Sequence, residues 1–233
     1  MAKGRVSRED WTMAALRAFA RGGVSAVAVD VLARELKVSR GSFYWHFENR
    51  DALLLAALES WERLATTEVI AAVGTRTEPR ARFRTLLLTA LGDEGIAGLE
   101  PALGAAREAH PAVAEVVDRV TRARIAFLAA LFADLGFGPA DARHRAVTAY
   151  AAYLGWLDLR RTAPGTAPEV LPDGPGAGAA LDHLIATLGT PPTDPARSSS
   201  SSSSDSERSP EPEPSLRHER SQEQERSQGP GRS

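Results

Sequence analysis

Between residues 37 and 50 the chain reads KVSRGSFYWHFENR, which brings Lys37, Ser39, Arg40, Ser42, Tyr44, Trp45, His46 and Arg50 into one short stretch. Cations, hydroxyls and an imidazole hold phosphate oxygens or hydrogen-bond base edges, and ring bodies pack on sugars and thymine methyls. All five residues from Phe43 to Phe47 carry rings, in a chain that is 6% aromatic. Consecutive residues of a helix point in different directions, so one core cannot bury all five. Phe43 and Phe47 are four apart and are expected to share a buried face with Phe19, Leu32 and Leu36. Tyr44, Trp45 and His46 then face outward. The competing reading is that Tyr44 and Trp45 only cover the edge of that core.

Charge follows the same division. Residues 1–50 hold nine Lys/Arg against five Asp/Glu, residues 51–189 hold 13 against 17, and residues 190–233 hold six against eight. A net charge of -2 over 233 residues therefore hides a basic first segment on an acidic remainder, as a nucleic-acid binder would show.

The elements that must position these groups are helical. Ser7 with Asp10 three residues later forms a capping-box pattern, which predicts a helix from about Arg8 to Arg21. Trp11, Ala15 and Phe19 form its apolar stripe, and Gly22-Gly23 stop it. A second short helix, VDVLARELKV, buries Leu32, Ala33 and Leu36. Ser39 then caps a third over Arg40 to Phe47. Two short helices joined by a tight turn make a helix-turn-helix, in which the second helix sets its side chains against the major groove.

The strings AALRAFARGG and VLARELKVSRGSFYWHFENRDALL resemble the DNA-binding domain of the tetracycline-repressor (TetR) family, over roughly Trp11 to Leu58. The resemblance implies an all-α homodimer with a helix-turn-helix head and a ligand-responsive C-terminal domain. It puts Ser39, Arg40 and Ser42 at the DNA-contacting start of the recognition helix. It puts Tyr44 and His46 on phosphates and Trp45 at the groove. Arg50 falls where the family has a phosphate-binding lysine. Two positions depart from the pattern. Ala28 replaces the Thr or Ser that starts the second helix as both a cap and a phosphate contact, so one backbone contact is lost or is made by Ser25 instead. Lys37 replaces a turn glycine, so it must adopt a positive φ or reshape the turn, and it offers an extra phosphate contact.

Residues 51–189 read as a helical ligand-binding and dimerisation domain behind a DNA-binding domain at 1–50. A long helix from Arg50 or Asp51 to Val73 is, by the resemblance, the lever between them. Pro79 and Pro111 open later helices, and a further one runs from about Pro139 to Arg161 with Val147, Tyr150, Leu154 and Leu157 at spacings of 3, 4 and 3. The stretch TAPGTAPEVLPDGPGAG is too rich in proline and glycine to be helical. The last helix covers about Ala177 to Leu188. The final two helices are expected either to pack inside the subunit or to pair with a second copy. Trp61, Phe83, Leu87, Phe127, Tyr150 and Trp156 are candidate walls of a pocket. No cluster of charges stands out among them, which favours an apolar or amphipathic small ligand.

Residues 190–233, with serines from Ser198 to Ser204 and Leu216 almost alone as an apolar residue, are expected to be a disordered tail. There is no cysteine and no apolar stretch long enough to span a membrane, so the simplest address is cytoplasmic. His46, His110, His144, His183 and His218 are scattered, and no phosphate loop or nucleophile elbow is present, so neither an enzyme nor a cofactor or metal is expected. The resulting expectation is a DNA-binding regulator, most simply a repressor, dimeric on a palindromic operator and released by a small molecule. A ligand-independent DNA-binding or interaction dimer, and a helical enzyme, are the alternatives.

Overall fold

The computed structural model describes residues 5–75, 78–92, 99–171 and 173–190, and every regular element among them is helical. The expected tail at 190–233 lies outside the described residues from 191 onward.

Helix α1 spans Arg8–Ala26. Its capping box is formed: Ser7 Oγ accepts from the Asp10 amide at 3.1 Å, and Asp10 Oδ2 accepts from the Ser7 amide at 2.8 Å. The glycine pair breaks it as expected, because Gly23 takes φ 65°, which a β-carbon would oppose. One further turn then runs to Ala26. Helix α2 spans Val29–Glu35, with Ala28 as its N-cap and no side-chain cap bond. Ser25 does not cap α2 either: its hydroxyl donates to Gly22 O at 3.1 Å.

The recognition element is a 3₁₀ helix over Arg40–Trp45, tighter and shorter than the expected α-helix. Ser39 occupies its N-cap position without a side-chain bond. The carbonyl of Ser39 accepts from the Ser42 amide at 3.0 Å instead.

Helix α3 spans Arg50–Glu62 and is capped by Asn49, whose Oδ1 accepts from the Ala52 amide at 2.8 Å. It continues through a π-helical segment, Arg63–Thr67, into α4, Glu68–Gly74. The expected lever helix is therefore present at nearly its expected length, but with one widened turn inside it. Beyond it lie α5 (Pro79–Gly92), α6 (Leu99–Ala106), α7 (Pro111–Asp134), α8 (Pro139–Thr162) and α9 (Ala177–Gly189). Prolines at the first positions of α7 and α8 need no amide partner there. The linker expected to be free of helix carries one 3₁₀ turn, Pro168–Val170, with Val170 buried. A single such turn tolerates a leading proline because its amide would be unpaired anyway.

Two apolar cores form. The first joins Trp11, Phe19, Leu32, Phe43 and Phe47 to Leu53, Leu58 and Trp61 of α3, Leu99 and Leu103 of α6, and Val113, Val116 and Val120 of α7. The core is thus continuous across residue 50, where the charge pattern changes. The second gathers Phe83 and Leu87 of α5, Leu128 and Phe132 of α7, Phe137, and Ala146, Tyr150 and Leu157 of α8 with Leu181 and Leu188 of α9. Helix α7 serves both, and Arg124 lies on it between Val120 of the first core and Leu128 of the second.

On α8 the four residues expected on one face part company. Tyr150 and Leu157 are buried, whereas Val147 and Leu154 are exposed. The alanines Ala142, Ala146 and Ala149 form the buried face with them, so small residues define the inner side of this helix.

Candidate nucleic-acid interface and ligand cavity

The head holds its recognition helix by two rings and presents the others. Phe43 and Phe47 are buried and stack on each other at 5.7 Å, and Trp11 meets Phe43 edge-on at 5.4 Å. Tyr44 is 57% exposed and Trp45 is 78% exposed. An indole that exposed has given up most of its hydrophobic gain, which is the cost of a contact surface rather than a packing position. The sequence expectation that divides these rings between core and surface matches this arrangement.

Around them, Ser39, Ser42, Trp45 and His46 line one open groove together with Arg5 and Val6. Arg5 is an addition that the recognition-helix sequence alone does not reveal. Arg40 is exposed and lies 3.4 Å from Asp30 of α2. The Tyr44 hydroxyl and the Asp30 carboxylate hold its guanidinium further in the charged form. Lys37 takes φ 57° in the turn between α2 and the recognition helix, the one non-glycine residue with positive φ among the described residues. The chain therefore keeps the turn and accepts a left-handed lysine, at a cost of about 1–2 kcal/mol. The side chain of Lys37 is left at the surface.

Two of the expected phosphate ligands are partly committed elsewhere. His46 Nε2 is 3.0 Å from Val6 O, which ties the segment before α1 to the recognition helix. Arg50 turns inward: its Nε donates to Val27 O at 2.6 Å and its Nη2 donates to Val24 O, so it secures the link between α1 and α2. Its Nη1 lies 3.8 Å from Asp51. Carbonyls at the end of α1 attract a cation, since a helix C-terminus carries partial negative charge. Sequence spacing could not show this, because the acceptors lie more than twenty residues away.

The body contains a half-enclosed cavity of about 100 Å³. Leu87, Phe127 and Tyr150 line it, as expected. Trp61, Phe83 and Trp156 do not. Trp61 is sealed into the first core, Phe83 packs on Phe132 at 5.1 Å, and Trp156 donates its indole N–H to Val170 O at 2.9 Å.

What the sequence reading missed is a buried ionic node on the cavity wall. Arg124 and Glu100 have side chains 12% and 7% exposed, and Arg124 Nη1 lies 2.6 Å from Glu100 Oε1. Arg124 also donates from Nε to Thr66 Oγ1 at 2.9 Å and from Nη2 to Ala65 O at 3.0 Å, both on the π-helical segment. Tyr153 donates to Glu100 Oε1 at 3.3 Å. Its phenol is pushed up, first by burial and then by the Glu100 carboxylate, so it stays a donor. Burial opposes the charge on Arg124, and Glu100 with the two tyrosines more than offsets that, so the guanidinium remains charged. The guanidinium also sits 5.3 Å from the Trp61 ring and 5.7 Å from that of Tyr153. The residues are far apart in the sequence, and only an arginine on the inner face of a long helix hints at such a pair. Among the described residues there is no cluster of His, Cys, Asp and Glu suited to a metal ion, and no helix long and apolar enough to cross a membrane.

Residues 12–57 match the family model for bacterial regulatory proteins, tetR family. The chain is 33% identical over 73 residues to the HTH-type transcriptional regulator YuxN of Bacillus subtilis, a stretch that is 31% of this chain and 25% of YuxN. It is 43% identical over 44 residues to YerO of the same organism, 19% of this chain and 15% of YerO. Both matches thus take in a quarter or less of the relative. At the level of fold, a transcriptional regulator from Rhodococcus sp. superimposes with a TM-score of 0.62 at 23% identity, covering 78% of this chain and 96% of that one. A transcriptional regulator from Saccharomonospora viridis, solved in complex with choline, gives 0.61 at 21% identity over 78% and 92%. A TetR transcription regulator from Haloarcula marismortui gives 0.60 at 18% identity over 78% and 93%. The recognition helix, whose buried rings lock it and whose exposed rings and cations face outward, thus lies within the segment 12–57 that matches the tetR family of bacterial regulatory proteins, and the chain shares the fold of these transcriptional regulators.

Proposed function

We propose that the protein represses transcription as a homodimer on a palindromic operator and leaves it when a small molecule enters the body. The observation that carries the reading is the pairing of an exposed Tyr44–Trp45 face in the head with a mostly apolar cavity whose wall is the lever helix. Arg40, Ser39, Ser42 and Trp45 meet base edges, and Lys37, Tyr44 and His46 meet phosphates. Arg50 acts chiefly by holding the head together. The three domains at 1–50, 51–189 and 190–233 divide these tasks into reading, sensing and a tail.

Dimerisation is supported by Val147 and Leu154, which are seven residues apart and leave exposed apolar surface on one face of α8. A second copy covering it would set two heads to read half-sites about 34 Å apart, one helical turn of DNA. The choline-bound Saccharomonospora protein supports the idea that a body of this fold can accommodate a small organic molecule. A cytoplasmic location follows from the task.

The test is selection of bound sequences from random duplex DNA by the full chain at moderate salt. A two-fold symmetric site is expected. Recovery of a single unrepeated half-site would remove the dimer, and recovery of no preferred sequence would remove the operator.

A further inference from the structure

Resting on the reading of the cavity as an effector site, we infer that its effector is an electrically neutral, ring-sized molecule bearing a hydroxyl or amide head. The carboxylate of Glu100 and the guanidinium of Arg124 are the charged groups on the cavity wall among the described residues, and they already neutralise each other at 2.6 Å. A head with its own full charge, of either sign, would leave one charge of the resulting trio uncompensated in a nearly dry site. That is the costly outcome for buried ions, whereas a neutral head leaves the pair intact.

Hydrogen-bonding capacity at the node points the same way. Glu100 Oε1 accepts from both Arg124 and Tyr153, while Oε2 has no hydrogen-bond partner among the described residues. Three of the five N–H groups of Arg124 are engaged, by Glu100, Thr66 and Ala65. Among the described residues, the Tyr150 hydroxyl has only a long 3.4 Å contact, to Thr121 Oγ1. The node therefore has both an acceptor and donors to spare, side by side. A hydroxyl or an amide offers both functions at once. A carboxylate offers only acceptors and an ammonium only donors.

Size follows from the rest of the wall. Leu64, Val69, Ile70, Leu87, Phe127 and Leu128 make it apolar, and its volume of about 100 Å³ is below the roughly 150 Å³ that admits benzene in an engineered protein cavity. One ring is thus enough to press on the walls. Two of those walls reach the head. Ala65 and Thr66 belong to the π-helical segment that continues α3, and π-helical turns recur at functional positions inside helices. Glu100 belongs to α6, whose neighbouring Leu99 and Leu103 are buried in the same core as Trp11 of α1.

The experiment compares benzyl alcohol, benzoate and benzylammonium at pH 7.5, by NMR titration of the full-length protein. The three share a ring and differ in the charge of the head. Benzyl alcohol is expected to bind at least tenfold tighter than either ion. Equal or tighter binding of benzoate or benzylammonium would overturn the neutral-head inference while leaving the cavity as an effector site. No binding by any of the three at millimolar concentration would overturn both. In Glu100→Gln the arginine is uncompensated, and benzoate is expected to gain at least tenfold over benzyl alcohol. An unchanged order in a folded Glu100→Gln protein would also count against the inference. The wild-type series decides the matter if that variant does not fold.

Discussion

The head and the body both use arginine, and they use it in opposite ways. In the head, Arg40 stays at the surface beside Tyr44 and Asp30, in a medium where a cation is cheap and can meet phosphate. In the body, Arg124 is buried and shares its donors among Glu100, Thr66 and Ala65. Water screens the first charge, and a matched counter-charge makes the second tolerable. Arg50 lies between the two cases, half-buried and turned toward backbone carbonyls. The same residue type therefore stays a screened surface cation, staples two helices or sets the polarity of a cavity, according to how much water surrounds it.

The strongest way to break this contrast is Arg124→Met. It leaves Glu100 buried and unpaired, and is expected to cost about 3–5 kcal/mol of stability by urea denaturation. Adding Glu100→Leu should recover most of that loss. If the double variant is as unstable as the single one, the arginine's packing rather than its charge holds the node.

Next in size is Arg50→Ala, expected to lower stability by about 1.5–3 kcal/mol through two lost charge-assisted bonds. Its salt dependence of DNA binding should stay nearly unchanged. A fall in slope of about one would instead mean that Arg50 also reaches a phosphate.

Lys37→Gly sharpens the comparison from the surface side. Relief of the left-handed lysine is expected to stabilise the head by up to about 1 kcal/mol, while DNA affinity drops and the salt slope falls by about one unit. Stabilisation without any change in DNA binding would remove Lys37 from the interface.

The smallest effect lies at the start of α1. The backbone N–H of Ser7, then its hydroxyl, hold the Asp10 carboxyl below the usual carboxylate range. A depressed folded pKa means that the contribution is complete above the unfolded value of about 4 and is lost as pH falls through the lower folded value. Asp10→Asn should flatten that part of an acid titration of stability, followed by circular dichroism, and leave neutral-pH DNA binding alone.

Much of the head was legible from local rules. Ser7 and Asp10 are three residues apart, Gly22-Gly23 are adjacent, and Phe43 and Phe47 are one turn apart, so the interactions they signal are short-range. For Lys37 the tetR resemblance, through its turn glycine, left a positive φ or a reshaped turn, and the lysine takes the first. The tetR resemblance extended this reading to Ser39, Arg40, Ser42, Tyr44 and Trp45. It also put Arg50 at a phosphate-binding position, and it could not show that the guanidinium reaches the carbonyls of Val24 and Val27. The π-helical segment left no mark in the apolar pattern of residues 50–74, because widening one turn changes which backbone groups pair without changing residue types. The apolar stripe on α8 left its burial open, because periodicity identifies a face and does not say what that face meets.

The sequence by itself determined that this protein is helical, where its first helix starts and breaks, which rings lock the recognition helix and which are free. Those outcomes depend on backbone geometry and on neighbours within a turn or two. Only the tertiary structure decided the polarity of the cavity, because Glu100, Arg124 and Tyr153 come from three helices and their charges acquire meaning only once water is excluded around them.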